Sequence, residues 1–169
     1  MAETAGWFVV NVADAEAFGV EGLGYWMAFE SPNAPFQEFG INIHVIQPGE
    51  PNAMYHAEDS QEDFLVLHGE CLLVVEGEER RLRTWDFVHC PNGTEHVFVG
   101  AGDGPCAILM VGTRKHERER SVYPVSDVAL RHGAGVEEET PDGRVAYARY
   151  GETQPRPNDD ARLPWNRAT

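Results

Sequence analysis

Short runs rich in β-branched and aromatic residues, separated by Gly, Pro, Asn and Asp, extend along most of this chain. Such runs are typical of β-strands, and no amphipathic helix longer than about three turns is visible. The predicted strands are Trp7–Val12, Tyr25–Glu30, Ile41–Ile46, Phe64–Leu67, Cys71–Glu76, Glu79–Leu82, Phe87–Cys90, His96–Val99 and Cys106–Gly112. So many short strands need a sandwich or a barrel to bury their apolar faces, which predicts an all-β fold.

The chain has the length of one domain and is strongly acidic. Its 169 residues include 13 Lys and Arg against 28 Asp and Glu, which gives a formal net charge of -15. A field of that sign repels phosphate backbones and anionic lipids, so we expect no nucleic-acid and no membrane partner. The chain also lacks an apolar run near the roughly 18 residues of a membrane span and a signal-peptide pattern, which predicts a cytoplasmic location.

The cysteine pattern argues against stabilisation by disulfide bonds or by a zinc ion bound to thiolates. The chain has 3 cysteines, Cys71, Cys90 and Cys106, and no C-x-x-C pair. An odd count without such a pair favours neither a disulfide framework nor a thiolate zinc site. We therefore expect the three side chains to be small buried hydrophobic groups.

Histidine and carboxylate residues are concentrated between Pro48 and His96. His56 and Glu58 are two positions apart, so their side chains point the same way on an extended chain. The polar link after Glu58 lets the chain reverse and bring Glu62 back over them, while His96 opens a separate strand after a Pro-x-Gly turn. Two imidazoles and two carboxylates in this arrangement can close on one metal ion.

These positions resemble the two motifs of the cupin superfamily, G-x5-H-x-H-x3–4-E-x6-G and G-x5-P-x-G-x2-H-x3-N. The resemblance covers roughly Pro48 to Gly112 and implies an antiparallel jelly-roll β-barrel, here with extra N- and C-terminal strands. In cupins, His and Glu residues of these motifs hold a divalent metal. By position, the first His is His56, the Glu is Glu62 and the last His is His96.

The motifs depart from the family pattern in ways that bear on the metal. Glu58 replaces the second His, and six residues instead of five separate Gly49 from His56. Trp85 and Gly100 stand where the second motif has its opening Gly and closing Asn. The metal ligands that the resemblance implies are His56, Glu62, His96 and, optionally, Glu58. Such a set suits divalent Fe, Mn, Co, Ni or Zn.

Each of these residues also has an interpretation without a metal. His56 and His96 can fill a metal-free barrel as structural histidines, and Glu62 can simply start an acidic hairpin. Glu58 lies in an acidic loop and can face water.

Nearby apolar side chains are expected to form a cavity wall and exclude water around a bound molecule. These wall residues are Tyr55, Phe64, Phe98 and Met110. Asn42 and His44 alternate with an apolar row that includes Ile43, so we expect them to face solvent, with a polar role in lining the cavity as the alternative.

The cupin barrel hosts many chemistries, so function has to come from the site. We expect a metal-dependent enzyme acting on a small oxygenated molecule, a dioxygenase or an isomerase, with the metal as Lewis acid and Glu58 as base. A non-catalytic module that binds or senses a small molecule, with or without metal, is the alternative. The arginines at positions 80–83 and 114–120 lie away from the ligand motifs, which disfavours a phosphosugar substrate.

Three segments are expected along the chain. Residues 1–35 are predicted to supply N-terminal strands that pack on the barrel or on a partner, and residues 36–115 to form the barrel core. Residues 116–169 are predicted to add C-terminal strands, one or two of them within 121–136, and a mobile tail. The apolar run at the N-terminus and the C-terminal strands together predict a homodimer with exchanged terminal strands.

Overall fold

The computed structural model of the chain describes residues 7–30, 34–114 and 121–166. Its strands are β1 (Ala17–Gly19), β2 (Tyr25–Ala28), β3 (Phe39–Ile46), β4 (Ala57–Glu58), β5 (Glu62–His68), β6 (Glu70–Val75), β7 (Glu78–Arg83), β8 (Phe87–Cys90), β9 (His96–Ala101), β10 (Cys106–Thr113), β11 (Ser121–Val122) and β12 (Gln154–Arg156). The helical elements are α1 (Asp127–Arg131), α2 (Gly143–Ala146) and the 3-10 turns Val12–Asp14 and Pro164–Asn166. None of the helices in the described ranges has the length and apolar character that crossing a bilayer requires.

Antiparallel pairing arranges the strands into two layers. The larger sheet has 7 strands in the order β12-β1-β2-β3-β10-β5-β8, and the opposite layer is built on the 3-stranded sheet β7-β6-β9. The short pair β11-β4 joins this second layer through a bridge between His56 and His96. The predicted all-β jelly-roll barrel is confirmed, with β1, β2 and β12 as extra terminal strands.

The two layers bury one apolar core between them. Even-numbered residues of β3, β5 and β10 point into the barrel, because successive side chains of a strand alternate between its faces. The core residues are Ile46, Phe64, Val66, Cys71, Leu73, Cys90, Phe98, Cys106 and Ile108. All three cysteines are buried free thiols, as predicted.

The outer face of the larger sheet is covered by the chain's own terminal segments. Ile43 and Val45 of β3 pack there in a second cluster that includes Leu163. Leu163 is completely buried, and β12 pairs with β1 along the edge of the sheet. The described part of the C-terminal tail, expected to be loose, is therefore folded along the barrel.

The predicted strand Trp7–Val12 is wrong. Residues 7–11 have no regular secondary structure, and the chain then enters the 3-10 turn Val12–Asp14. The Asn11 side chain caps this turn by accepting a hydrogen bond from the Ala13 N–H at 3.0 Å. Strand propensity alone does not make a strand, and no neighbouring strand pairs with this run among the described residues.

The segment 121–136 is only partly extended, contrary to the prediction of one or two strands. Strand β11 covers Ser121–Val122, and helix α1 follows. The Ser126 side chain accepts a hydrogen bond from the Ala129 N–H at 3.2 Å and caps the helix. Ser126 followed by Asp127 is a typical helix start, but the strand propensity of the neighbouring residues led to the prediction of a strand.

Parts of all three predicted segments lie outside the described residues, namely 1–6, 31–33, 115–120 and 167–169.

Candidate metal centre

Three polar side chains from separate parts of the chain meet between the two layers. His56 precedes β4, Glu62 begins β5 and His96 begins β9. One ligand-type atom of each lies within 4.8 Å of the others, and His96 Nε2 is 3.4 Å from Glu62 Oε2. The side chains of His56, Glu62 and His96 are only 12%, 16% and 3% exposed.

Backbone carbonyls fix the orientation of both imidazoles. His56 Nδ1 lies 2.7 Å from the Met54 carbonyl oxygen, and His96 Nδ1 lies 3.0 Å from that of Thr94. A carbonyl can only accept, so each Nδ1 carries the hydrogen and each Nε2 keeps its lone pair. Metal-binding histidines are typically held by such a contact on the ring nitrogen that does not bind.

Burial keeps both imidazoles in the form that binds a metal. Desolvation lowers the pKa of His96 to about 4, and repulsion from His56 contributes. Desolvation also lowers the pKa of His56. Both rings are therefore neutral at pH 7 with a lone pair available. Two nitrogen donors and the Glu62 carboxylate together fit a divalent transition metal.

Glu58 faces this group without belonging to it. Its Oε1 lies 3.7 Å from His56 Nε2, while its Oε2 accepts a hydrogen bond from the Ser60 hydroxyl at 3.3 Å. The side chain is 25% exposed, more than any of the three clustered residues. Glu58 therefore lies beside the centre and also contacts solvent. The sequence analysis had given these two positions, near the metal and facing water, as alternatives.

Phe64, Phe98 and Met110, which the sequence predicted to line a cavity, pack in or against the barrel core. The Phe64 ring centroid is 5.2 Å from that of His96 and 4.8 Å from that of Phe98. Met110 pairs with Phe64 across the β10–β5 ladder and packs against the same core. These apolar groups shield the side of the centre that faces the barrel interior.

Tyr55 lies elsewhere, contrary to the prediction. It packs in a separate cluster with Val74 and Val97, and its hydroxyl donates to Glu95 Oε2 at 3.0 Å. Tyr55 directly precedes His56, so in an extended segment its side chain points to the opposite face. This alternation was readable from the sequence.

Asn42 and His44 face the barrel interior, which is the alternative that the sequence left open, and the expected solvent-facing position is wrong. His44 is 8% exposed and its Nε2 lies 2.8 Å from the Leu23 carbonyl oxygen. Asn42 Oδ1 is buried. The alternation in β3 was correctly predicted, but the apolar row that includes Ile43 packs under the terminal segments on the outer face.

A pair of tyrosines from the C-terminal segment supports His56, and sequence analysis missed both. The Tyr123 ring centroid is 6.0 Å from that of His56. The Tyr147 hydroxyl accepts a hydrogen bond from the Met54 N–H at 3.1 Å, and Met54 also holds His56 through its carbonyl. The pairing of β11 with β4 that brings Tyr123 to this place has no local sequence signal.

Arg114 also lies closer to the centre than the sequence indicated. The Arg114 guanidinium covers Gly40: a Cβ built on this glycine would lie 3.5 Å from both Nε and Nη2 of Arg114. Gly40 is in the same cross-strand row as Glu62, because Gly112 pairs with both of them. Arg114 Nη1 donates to Glu30 Oε2 at 2.8 Å. One arginine therefore lies on the same face of the sheet as a candidate metal ligand.

A separate surface cavity of about 340 Å3 lies away from this centre, lined in part by His68, Glu70, Arg81 and Asp103. Arg81 and Glu70 form an ion pair at 2.9 Å there. None of the predicted site residues lines this cavity.

Comparisons with known proteins agree on the fold. The family model for the Cupin domain matches residues 42–112. A sugar phosphate isomerase from Silicibacter pomeroyi is 22% identical with a TM-score of 0.60, over 67% of this chain and 79% of that one. A polyketide cyclase from Streptomyces resistomycificus is 18% identical with a TM-score of 0.58, over 67% and 83%. No curated protein matches the chain significantly.

The matched segment extends from within β3 to within β10 and contains His56, Glu62 and His96. At identities this low the structural similarity shows the fold alone. The motif residues and the two-layered barrel agree with the domain match, and the chain contains a cupin domain over residues 42–112.

Proposed function

We propose that this protein is a metal-dependent cupin enzyme of the dioxygenase or isomerase class that acts on a small oxygenated molecule. The supporting observation is the convergence of His56, Glu62 and His96 within 4.8 Å, with both Nδ1 atoms engaged by backbone carbonyls. Two imidazoles and one carboxylate leave coordination positions open for a substrate. A divalent Fe, Mn, Co, Ni or Zn ion held there supplies Lewis acidity, and Fe adds reactivity toward O2.

Glu58 is the proposed base. Its Oε1 lies 3.7 Å from His56 Nε2, so the carboxylate reaches the edge of the proposed centre while Ser60 orients it. A carboxylate in this position can remove a proton next to a substrate carbonyl and return it to a neighbouring carbon, which is isomerase chemistry. Its 25% exposure allows proton exchange with solvent.

The aromatic wall is proposed to keep water away from the reacting atoms. Phe64 and Phe98 are 3% and 0% exposed and lie beside His96. A dry, apolar surrounding strengthens electrostatic contacts between the protein and a bound substrate and limits side reactions.

The similar structures named above include an isomerase and a cyclase, so the fold that they share with this chain is one that accommodates enzymes. Replacement of the second motif His by Glu58 favours the alternative, a non-catalytic module that binds a small molecule, because it removes one neutral nitrogen ligand. Metal content and turnover separate the two.

Metal content tests the centre itself. Protein purified without a His tag or chelator is analysed by inductively coupled plasma mass spectrometry, for the wild type, His96→Ala and the control His132→Ala. His132 pairs with Glu79 on the surface, so its loss leaves the centre intact. We expect near-stoichiometric metal in the wild type and the control and little in His96→Ala. Little metal in all three proteins, or equal metal in all three, contradicts the proposal.

Turnover tests the enzyme assignment. Metal-loaded wild type and His96→Ala are compared on panels of small hydroxylated and carbonyl compounds, with and without O2. Equal behaviour of the two proteins on every compound favours the binding module.

We further propose that the protein forms a homodimer through its N-terminal apolar run. Trp7 and Val9 are 68% and 88% exposed, and the Phe8 ring stacks on Phe36 with centroids 6.3 Å apart. Apolar side chains exposed together mark interaction surfaces. Light scattering at micromolar concentration should give twice the 18.8 kDa chain mass, and the mass of a single chain would overturn the dimer.

A further inference from the structure

Asn42 places an unpaired hydrogen-bond acceptor inside the barrel. Its Oδ1 is buried and has no hydrogen-bond partner among the described residues. Its cross-strand neighbours, Ala28 and Met110, carry no donor in their side chains. Arg114, over the adjacent Gly40, donates to Glu30 and to the Phe36 carbonyl instead. Buried polar atoms of native proteins nearly always have a partner, so this exception calls for one.

Asn42 lies on the same concave face as the proposed metal ligands. It pairs with Met110, and Met110 pairs with Phe64, whose ring contacts His96. Glu62 lies on β5, two strands from Asn42 on β3, which corresponds to a lateral separation of about 10 Å.

The strand between Asn42 and Glu62 has no side chain directly beside Glu62, while the neighbouring Gly40 is covered by the Arg114 guanidinium. Gly112 of β10 pairs with both Glu62 and Gly40, so two adjacent positions of this row lack side chains. A Cβ built on Gly112 would lie 3.9 Å from Glu62 Cγ and would occupy the space beside this carboxylate. Glycine weakens a strand interior and is often found where a ligand approaches the backbone.

We propose that Asn42 is a specificity-determining residue whose Oδ1 accepts a hydrogen bond from an O–H or N–H group of the substrate. The inference rests on the proposed metal centre, which holds an oxygen of the same molecule beside Glu62. The substrate class is thereby narrowed to molecules that carry a hydrogen-bond donor several bonds from the metal-binding oxygen. A substrate without that donor leaves the Asn42 carbonyl buried and unpaired, which is how polar sites reject apolar analogues.

Matched pairs of carboxylic acids test this recognition. The probes are ω-hydroxyalkanoates of three to six carbons and the n-alkanoates of equal length, titrated into Co(II)-loaded protein while the visible absorption of Co(II) is followed. The wild type should bind the hydroxy acid of the fitting length about five- to tenfold more tightly than its alkanoate, the value of one net hydrogen bond. Asn42→Leu should reduce the preference to within about twofold. Leu109→Met, a change on the outer face of β10 without a polar group, should retain it.

A second measurement needs neither metal nor ligand. Asn42→Leu removes an unpaired buried acceptor and keeps the number and branching of the side-chain heavy atoms, so the melting temperature of the metal-free protein should rise by about 2 °C or more. A fall in melting temperature would assign Asn42 a structural role and overturn the inference. The proposed role of Asn42 would also be overturned if the wild type showed no preference for the hydroxy acid, or if Asn42→Leu kept that preference. Binding of Co(II) in the same titration would then still support the metal centre. Failure of the wild type to bind Co(II) would overturn the proposed function, and the inference with it.

Discussion

Acidification is expected to destabilise the metal-free protein through its buried histidines. Burial lowers the pKa of His44 to about 4 and that of His96 to about 4, whereas both titrate near about 6.5 in an unfolded chain. Below about pH 6.5 the unfolded state therefore binds protons that the folded state excludes, and stability falls until the folded pKa is reached. At about pH 5 this linkage lowers the free energy of unfolding by about 2 kcal/mol for each of the two histidines.

His44→Phe isolates one of these contributions. Urea unfolding is followed by circular dichroism with a chelator present, at about pH 7.5 and about pH 5, where buried histidines dominate the change. The variant loses the contact with the Leu23 carbonyl at both pH values, so only the difference between them reports the titration. That difference should be about 2 kcal/mol smaller than in the wild type, whereas Val125→Ala, an exposed control that does not titrate, should leave it unchanged. Equal differences in His44→Phe and the wild type would refute the reasoning.

Four further variants test the centre, its support and the packing of the C-terminal segment. Elemental analysis should show that Glu62→Gln loses most of the bound metal and that Glu58→Gln retains it. An activity assay should show lower turnover for Glu58→Gln than for the wild type. Loss of metal from Glu58→Gln would make Glu58 a ligand. Tyr147→Phe removes the oxygen that holds Met54 and should weaken metal affinity by up to about tenfold in a competitive chelator titration, and unchanged affinity would remove Tyr147 from the support of His56. Leu163→Ala should lower the free energy of unfolding by about 2 to 5 kcal/mol in urea, and a loss below about 1 kcal/mol would contradict its burial under the sheet.

The cluster of His56, Glu62 and His96 could be predicted because local features fix it. Turn residues set where the strands start, and strand alternation sets which side chains share a face. The same alternation places Tyr55 opposite to His56, so that error came from proximity in sequence and was avoidable. For Asn42 and His44 the alternation was not enough, because β3 is covered on both faces and a sequence pattern does not say which face is the barrel interior.

Residues brought together by long-range pairing could not be predicted. Ser121 pairs with Glu58 across about sixty intervening residues, and nothing in either segment specifies the other. Arg114 lies over Gly40, where a side chain on the sheet would contact its guanidinium, and no local pattern announces this placement. Leu163 was read as part of a loose tail because its neighbours are polar, although one leucine inserted into an apolar cluster is enough to hold the segment.

Replacement of the second motif His by Glu58 changes the charge of the proposed centre. A divalent ion held by His56, His96 and Glu62 alone would leave a net positive charge, which the Glu58 carboxylate beside His56 neutralises. A neutral centre withdraws less electron density from a bound carbonyl, so it depends more on a base close to the substrate, which is the role proposed for Glu58. The same oxygen-rich surrounding favours harder ions such as Mn and Fe over Zn. Metal identity and the effect of Glu58→Gln on turnover are therefore linked. If the protein binds Mn or Fe in preference to Zn, Glu58→Gln should also lose most of the activity.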